Sequence, residues 1–256
     1  MSSPVRFSTE RSGQVERILL DRPNGNILDL EMLAAIRERI EHISGDPGPC
    51  KLLVFEGAGR HFSFGASVEE HLPDKIGRML PAFHRLFWNL ERLSIPTAAV
   101  VRGQCLGGGF ELALWCGLVF CDSTARFGAP EIKLGVFPPI ASIVLPWRVS
   151  GARSTQMILS GETIDGKSAT HIGIADRCTE DPEADLQSWI AENIEGKSAV
   201  AVRIAWRASR RLLADALRND LTSLESLYLD ELMSHEDPVE GISAFVERRP
   251  PVWRNQ

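Results

Sequence analysis

Residues 100–135 read VVRGQCLGGGFELALWCGLVFCDSTARFGAPEIKLG, and this stretch decides how the chain folds. Thr97 to Val101 has the composition of a buried strand. Gly107, Gly108 and Gly109 follow and open a helix that runs through Cys116, and Leu118 to Cys121 reads as strand again. Glycines there let the backbone approach a ligand closely. The first helical turn carries N–H groups without intrahelical partners, and with the positive end of the helix dipole they suit an oxygen that becomes negative. Glu111 sits one turn inside the helix, and Glu131 follows Gly128-Ala129-Pro130 on a loop. Two carboxylates meeting at one oxyanion site divide general-acid and general-base work, because burial and mutual repulsion keep one of them protonated near neutral pH. Each feature alone has a plainer reading. A glycine run before a helix also serves tight strand–helix packing, and a first-turn Glu also serves as a surface partner of the dipole.

Upstream, Val5 to Thr9 and Gln14 to Leu20 read as a hairpin around Ser12-Gly13. Asp29 is a good N-cap, with Leu30, Leu33, Ile36, Ile40 and Ile43 behind it at helical spacing. Lys51 to Glu56 is a buried-type strand. Ile76, Leu80, Phe83, Phe87 and Leu90 line one face of a long helix that Ile95-Pro96 stops. Ile174 to Cys178 is expected to be the last strand. Alternation of strand and helix argues for an α/β core with covered sheets. Beyond it, segments 183–194, 198–218, 221–234 and 238–247 read as four helices. The stripe Leu217, Leu221, Leu224, Leu227, Leu232 is expected to pack on the core or on a neighbouring subunit. The division is a core over residues 1–195 and a helical region over 196–256 that serves oligomerisation and closes the pocket.

With 256 residues, 44% of them hydrophobic, the chain can bury a full core without disulfides or metals. A net charge of -6 favours neither nucleic acid nor an anionic membrane. The five cysteines fit no zinc or redox spacing, which points to a reducing, cytoplasmic setting. The N-terminus MSSPVRFSTERSG has no apolar signal core, and no apolar stretch is long enough for a bilayer. The six histidines show no metal-ligand spacing, so no metal is expected. Residues 161–168, GETIDGKS, fit the P-loop pattern letter by letter, but a P-loop follows a strand, and Ser154 to Leu159 reads as helix. Gly107 to Gly109 completes no dinucleotide fingerprint. The arginines at 203, 207, 210, 211 and 218 read as a solvated or intersubunit face.

The runs GQCLGGGFELAL and FGAPEIKLGVFP resemble the signature of the enoyl-CoA hydratase (crotonase) superfamily. The resemblance extends over Leu20–Pro23, Gly57–Ala66, Leu159–Glu162 with Ala169–Ala175, and Phe245–Pro251, so it covers nearly the whole chain. It implies an α/β crotonase spiral of ββα units with a helical C-terminal trimerisation region, as a homotrimer or a dimer of trimers. It implies that the amides of Ala66 and Gly108 form an oxyanion hole for a thioester carbonyl. Glu111 would mainly activate water and Glu131 mainly deliver the proton. No cofactor is implied, since coenzyme A is part of the substrate.

The chain also departs from that pattern. Ala66-Ser67-Val68-Glu69 stands where the family usually has Ala-Asp-Ile-Lys, which unsettles the contacts of Ser67 and Val68 with coenzyme A. Phe137-Pro138-Pro139-Ile140 replaces a glycine-rich run, so Phe137, Pro139, Ile140 and nearby Trp88 would shape a wall for a flat or cyclic acyl group. The run PEIKLGVFPPIAS resembles the cyclohexa-1,5-diene-1-carbonyl-CoA hydratases within that superfamily. Arg248 and Arg249 either reach coenzyme A phosphates or are plain surface residues. The competing readings are an isomerase or decarboxylase on the same fold, and a non-catalytic acyl-CoA-binding subunit.

Overall fold

A computed structural model describes residues 3–256. Its strands are, in chain order, Val5–Glu10 (β1), Val15–Leu20 (β2), Leu52–Gly57 (β3), Thr97–Val101 (β4), Gln104–Leu106 (β5), Leu118–Cys121 (β6), Arg126–Gly128 (β7), Thr163–Asp165 (β8) and Arg177–Cys178 (β9). β1 and β2 form the expected hairpin, with Val5 opposite Leu20. Parallel strands extend it into a six-stranded sheet in the order β1-β2-β3-β4-β6-β9. β3 and β4 are largely apolar because both faces are covered, and Glu56 near the end of β3 pairs with Arg17 and Arg102. Phe55 and Ala99 face one core, while Val54, Ala98 and Phe120 face another closed by Leu186, Ile190 and Ile194.

The second sheet is smaller and carries the site. β5 pairs parallel with β7, and β7 pairs antiparallel with β8. Isolated bridges, Leu28 to Ala66 and Ser63 to Cys105, continue this layer toward the N-terminal turns. Each turn of the chain therefore contributes a strand to the large sheet, a short piece to the small layer, and a helix. The helices closing the first three turns are Leu30–Gly45 (α1), Ile76–Leu93 (α2) and Gly108–Trp115 (α3). This is the spiral of ββα units that the resemblance implied.

Asp29 caps α1 by accepting from the Met32 amide at 2.9 Å. Leu28, one residue earlier, donates to Gly65 O at 2.9 Å and accepts from the Ser67 amide at 3.3 Å. The cap therefore anchors the loop before Ala66 as well as the helix. Asp29→Ala is expected to cost about 1 kcal/mol. Urea unfolding with an unchanged slope would register it as a lower midpoint.

The C-terminal part consists of Pro139–Arg148 (α4), Gly151–Ser160 (α5), Gly166–Ile172 (α6), Pro182–Asn193 (α7), Ala199–Ser209 (α8), Arg211–Ser226 (α9) and Glu236–Val246 (α10). Three boundaries differ from the sequence reading. The segment 198–218 is broken at Arg210, whose guanidinium lies 4.8 Å from the Trp115 ring and 4.5 Å from the Trp206 ring. It also donates to the Trp115 carbonyl at 2.8 Å, and a continuous helix would forfeit that seat. No break separates residues 218 and 221, which both lie within α9. The strand at Ile174 shrinks to Arg177–Cys178, because Ile174 and Ala175 both donate back to the Ala169 carbonyl and close α6.

The leucine stripe divides. Leu217 and Leu221 are buried, whereas Leu227 is exposed. Residues 161–168 run from the cap of α5 through β8 into α6, and Asp165 accepts from the Ser168 amide, so they form no phosphate loop. Arg249 is engaged by Glu240 and Glu247. Among the described residues, no helix is long and apolar enough to cross a membrane.

Candidate active site

Register brings the site together. Leu106 of β5 is opposite Gly128 of β7, and the Gly107 amide donates to the Gly128 carbonyl at 2.9 Å. The chain turns away from the two strands on the same side, into α3 after β5 and into the turn Pro130–Leu134 after β7. That places Glu111 and Glu131 at one point although the sequence separates them widely. Gly107 makes the approach possible. Its φ is +51°, and a Cβ there would stand 2.9 Å from Glu131 Oε1.

The Ala66 and Gly108 amides lie side by side, since a Cβ on Gly108 would be 3.1 Å from the Ala66 nitrogen. Among the described residues no acceptor is bonded to either N–H. Gly108 heads α3, so its N–H has no partner within the helix. Two free donors from separate elements, with a helix N-terminus behind one of them, make a seat for a developing oxyanion.

Both carboxylates are shielded from water, but their surroundings differ. Glu111 is 3% exposed, and its Oε1 accepts from the Ala141 amide at 2.9 Å. Pro139 starts α4, so that amide belongs to the first turn of a helix pointing its positive end at Glu111. Burial raises the Glu111 carboxyl well above the ordinary range, and the Ala141 and Ile140 amides pull part of the way back. Glu131 has only its own main-chain amide for support. Its Oε2 is buried and bonds to nothing. Burial first and then the charge of Glu111 push its carboxyl upward. Both carboxyls are therefore raised, and the amides on Glu111 favour its ionised form over that of Glu131.

A cavity of about 70 Å³ opens beside Glu131 and the two amides, with Ala66, Gly108 and Glu131 on its polar side and Val68, Leu134 and Ile242 on its apolar side. His71 also lines it. Burial holds that imidazole below its ordinary value, and Nδ1 is 2.7 Å from the Ser67 carbonyl. Of the residues expected to bind acyl or coenzyme A groups, Val68 lines the cavity, whereas Phe137 is not in its lining and packs 5.4 Å from the Tyr228 ring. Pro139 and Ile140 are buried beneath Glu111 at the start of α4, and Ser67 contributes main-chain bonds. His61 props the loop by accepting from the Gln104 amide at 3.1 Å. The sequence reading missed His71, Ile242 and Tyr228. The one available signal was that Tyr228 is the only tyrosine in the chain.

The sequence profile of the enoyl-CoA hydratase/isomerase family matches residues 10–256. A cyclohexa-1,5-dienecarbonyl-CoA hydratase from Thauera aromatica is 42% identical over 256 residues, covering 100% of this chain and 98% of that protein. A probable mitochondrial enoyl-CoA hydratase 2 from Arabidopsis thaliana is 30% identical over 97% of this chain and 84% of its own length. The crystal structure of an enoyl-CoA hydratase from Mycobacterium avium subsp. paratuberculosis superposes with a TM-score of 0.85 at 26% identity, covering 98% of this chain and 99% of that one.

Proposed function

The chain belongs to the enoyl-CoA hydratase/isomerase family and is a hydratase of an unsaturated acyl-CoA; on that premise we propose that it adds water to a cyclic dienoyl-CoA, using Glu111 and Glu131 as a proton-sharing pair. The observation that carries this reading is the pair itself. Two shielded carboxyls in unequal surroundings lie within reach of each other's charge, and one of them, Glu131, lines a cavity together with the two unbonded amides.

The steps follow from that inequality. The thioester oxygen accepts hydrogen bonds from the Ala66 and Gly108 amides, which stabilise it as negative charge builds. Ionised Glu111 takes a proton from water while the oxygen bonds to the β-carbon. Protonated Glu131 gives its proton to carbon, and the proton now on Glu111 restores the starting state through the pair. Water is consumed whole, and no oxidation state changes, so the reaction calls on no redox cofactor. The unusual run at Phe137 and the identity shared with the Thauera aromatica hydratase support a flat ring as the acyl group. The exposed apolar residues Val200, Ile204, Leu212, Phe245 and Trp253 support a homotrimer or dimer of trimers. Five free cysteines suit a cytoplasmic setting.

Turnover of straight-chain enoyl-CoA and cyclic dienoyl-CoA thioesters in ¹⁸O-labelled water tests the reading. We expect one labelled oxygen per product, and kcat/KM at least about tenfold higher for the cyclic substrate. Rearranged product without label would replace hydration by isomerisation. Tight binding of every thioester without turnover would mean a non-catalytic subunit.

A further inference from the structure

Tyr228 is buried to 1% exposure, and its hydroxyl has no hydrogen-bond partner. The ring packs 5.4 Å from Phe137 and 6.5 Å from His71, and His71 lines the cavity. A buried hydroxyl left unpaired lowers stability relative to phenylalanine, so a core position alone gives no reason for it. A second buried atom, Glu131 Oε2, is also unpaired. The two do not bond to each other, and the phenol lies within electrostatic reach of the Glu131 and Glu111 carboxyls.

The backbone is unusual at the same point. Leu227–Glu231 forms a π-helical turn after α9. Such turns are rare and gather at functional sites. Here the turn leaves Leu227 41% exposed and drives Tyr228 inward. Burial and then the charges of Glu131 and Glu111 hold the phenol well above its ordinary value. The phenol therefore keeps its proton near neutral pH and can donate a hydrogen bond.

We propose that the Tyr228 hydroxyl is a third polar group of the reaction site, donating a hydrogen bond to the oxygen that adds to the β-carbon. This rests on the hydratase reading and extends it. Glu111 takes the proton of the incoming water, and Tyr228 fixes where that water's oxygen stands. After addition the same donor holds the new hydroxyl.

Tyr228→Phe removes the oxygen and keeps the ring. Hydration by this variant is expected to have kcat lowered about 10- to 100-fold, with KM changed less than about threefold and an equal or higher Tm. A binding comparison needs no turnover. Cyclohexane-1-carbonyl-CoA should bind wild type and variant alike, whereas 2-hydroxycyclohexane-1-carbonyl-CoA should bind the variant about tenfold more weakly. Unchanged kcat, or equal weakening of both thioesters, would overturn the proposal. If the wild type turns over no enoyl-CoA, the hydratase reading fails, and the binding comparison still decides the role of Tyr228.

Discussion

Glu131→Gln is expected to lower the hydration rate about a thousandfold while making the protein melt at a higher temperature. The first effect follows from the proton inventory. Glutamine keeps the shape of the side chain but has no proton to give to carbon. The carbonyl seat at Ala66 and Gly108 is untouched, so KM for the thioester should change little. Glu111→Gln should cause a loss of similar size by removing the group that deprotonates water. The second effect follows from burial. Burial, and then the charge of Glu111, raise the Glu131 carboxyl in the folded state well above the ordinary carboxylate range. The native state then holds a proton that the unfolded chain has released, and stability falls as pH rises from the ordinary value through the raised one. Glutamine does not titrate. The variant should therefore gain Tm over the wild type increasingly as pH rises through that window, and show no gain below it. Melting curves at acidic and mildly alkaline pH, with kcat measured on the same preparations, check both halves. An active Glu131→Gln enzyme would remove the proton-transfer role, and a Tm gain independent of pH would remove the electrostatic explanation.

The wild-type rate should likewise fall on both sides of neutrality. On the acid side the pair takes a second proton and Glu111 can no longer act on water. On the alkaline side Glu131 loses its proton. Both limbs should lie above the ordinary carboxylate range, because burial raises both groups.

Gly108, Glu111 and Glu131 were readable as candidates because each sits in a local pattern with a mechanism, whereas Ala66 was named only by the family resemblance. Gly107–Gly109 before a helix signals free donors, and Glu111 and Glu131 lie at fixed offsets from glycine-marked turns. What joins them was not legible. β5, β7 and β8 are three residues long, too short for any alternation to register. Yet the pairing of Leu106 with Gly128 is what sets the two carboxylates side by side. Tyr228 was hidden for another reason. It lies between Leu227 and Leu232 of the leucine stripe, where the spacing widens from three or four residues to five, and the π-helical turn sits at that step and turns Tyr228 inward. Its meaning depends on Phe137 and His71, far away along the chain. Arg210 broke a helix for a comparable reason, since its two tryptophan partners include one from the core.

Gly65→Ala should reduce kcat/KM by about 10²- to 10³-fold, the loss typical of one displaced oxyanion donor. Gly65 has φ of +105°, and a Cβ there would lie 2.8 Å from the Leu106 carbonyl oxygen and 3.2 Å from the Gly108 nitrogen. Both contacts are with backbone, so no flexible side chain can yield. The added methyl must push the loop that carries Ala66 away from α3, and the two amides then no longer converge on one oxygen. Backbone strain contributes as well, because an alanine at this φ costs on the order of 1–3 kcal/mol. Gly59→Ala separates the two causes. Gly59 is in the same loop with φ of +76°, but a Cβ there meets nothing within 4 Å. It should lower Tm by a comparable strain and leave kcat/KM within about twofold, since the oxyanion seat is unaffected. If both variants lose activity in proportion to their lost stability, loop rigidity alone explains the effect. If only Gly65→Ala loses rate, the spacing of the Ala66 and Gly108 amides is what the glycine protects.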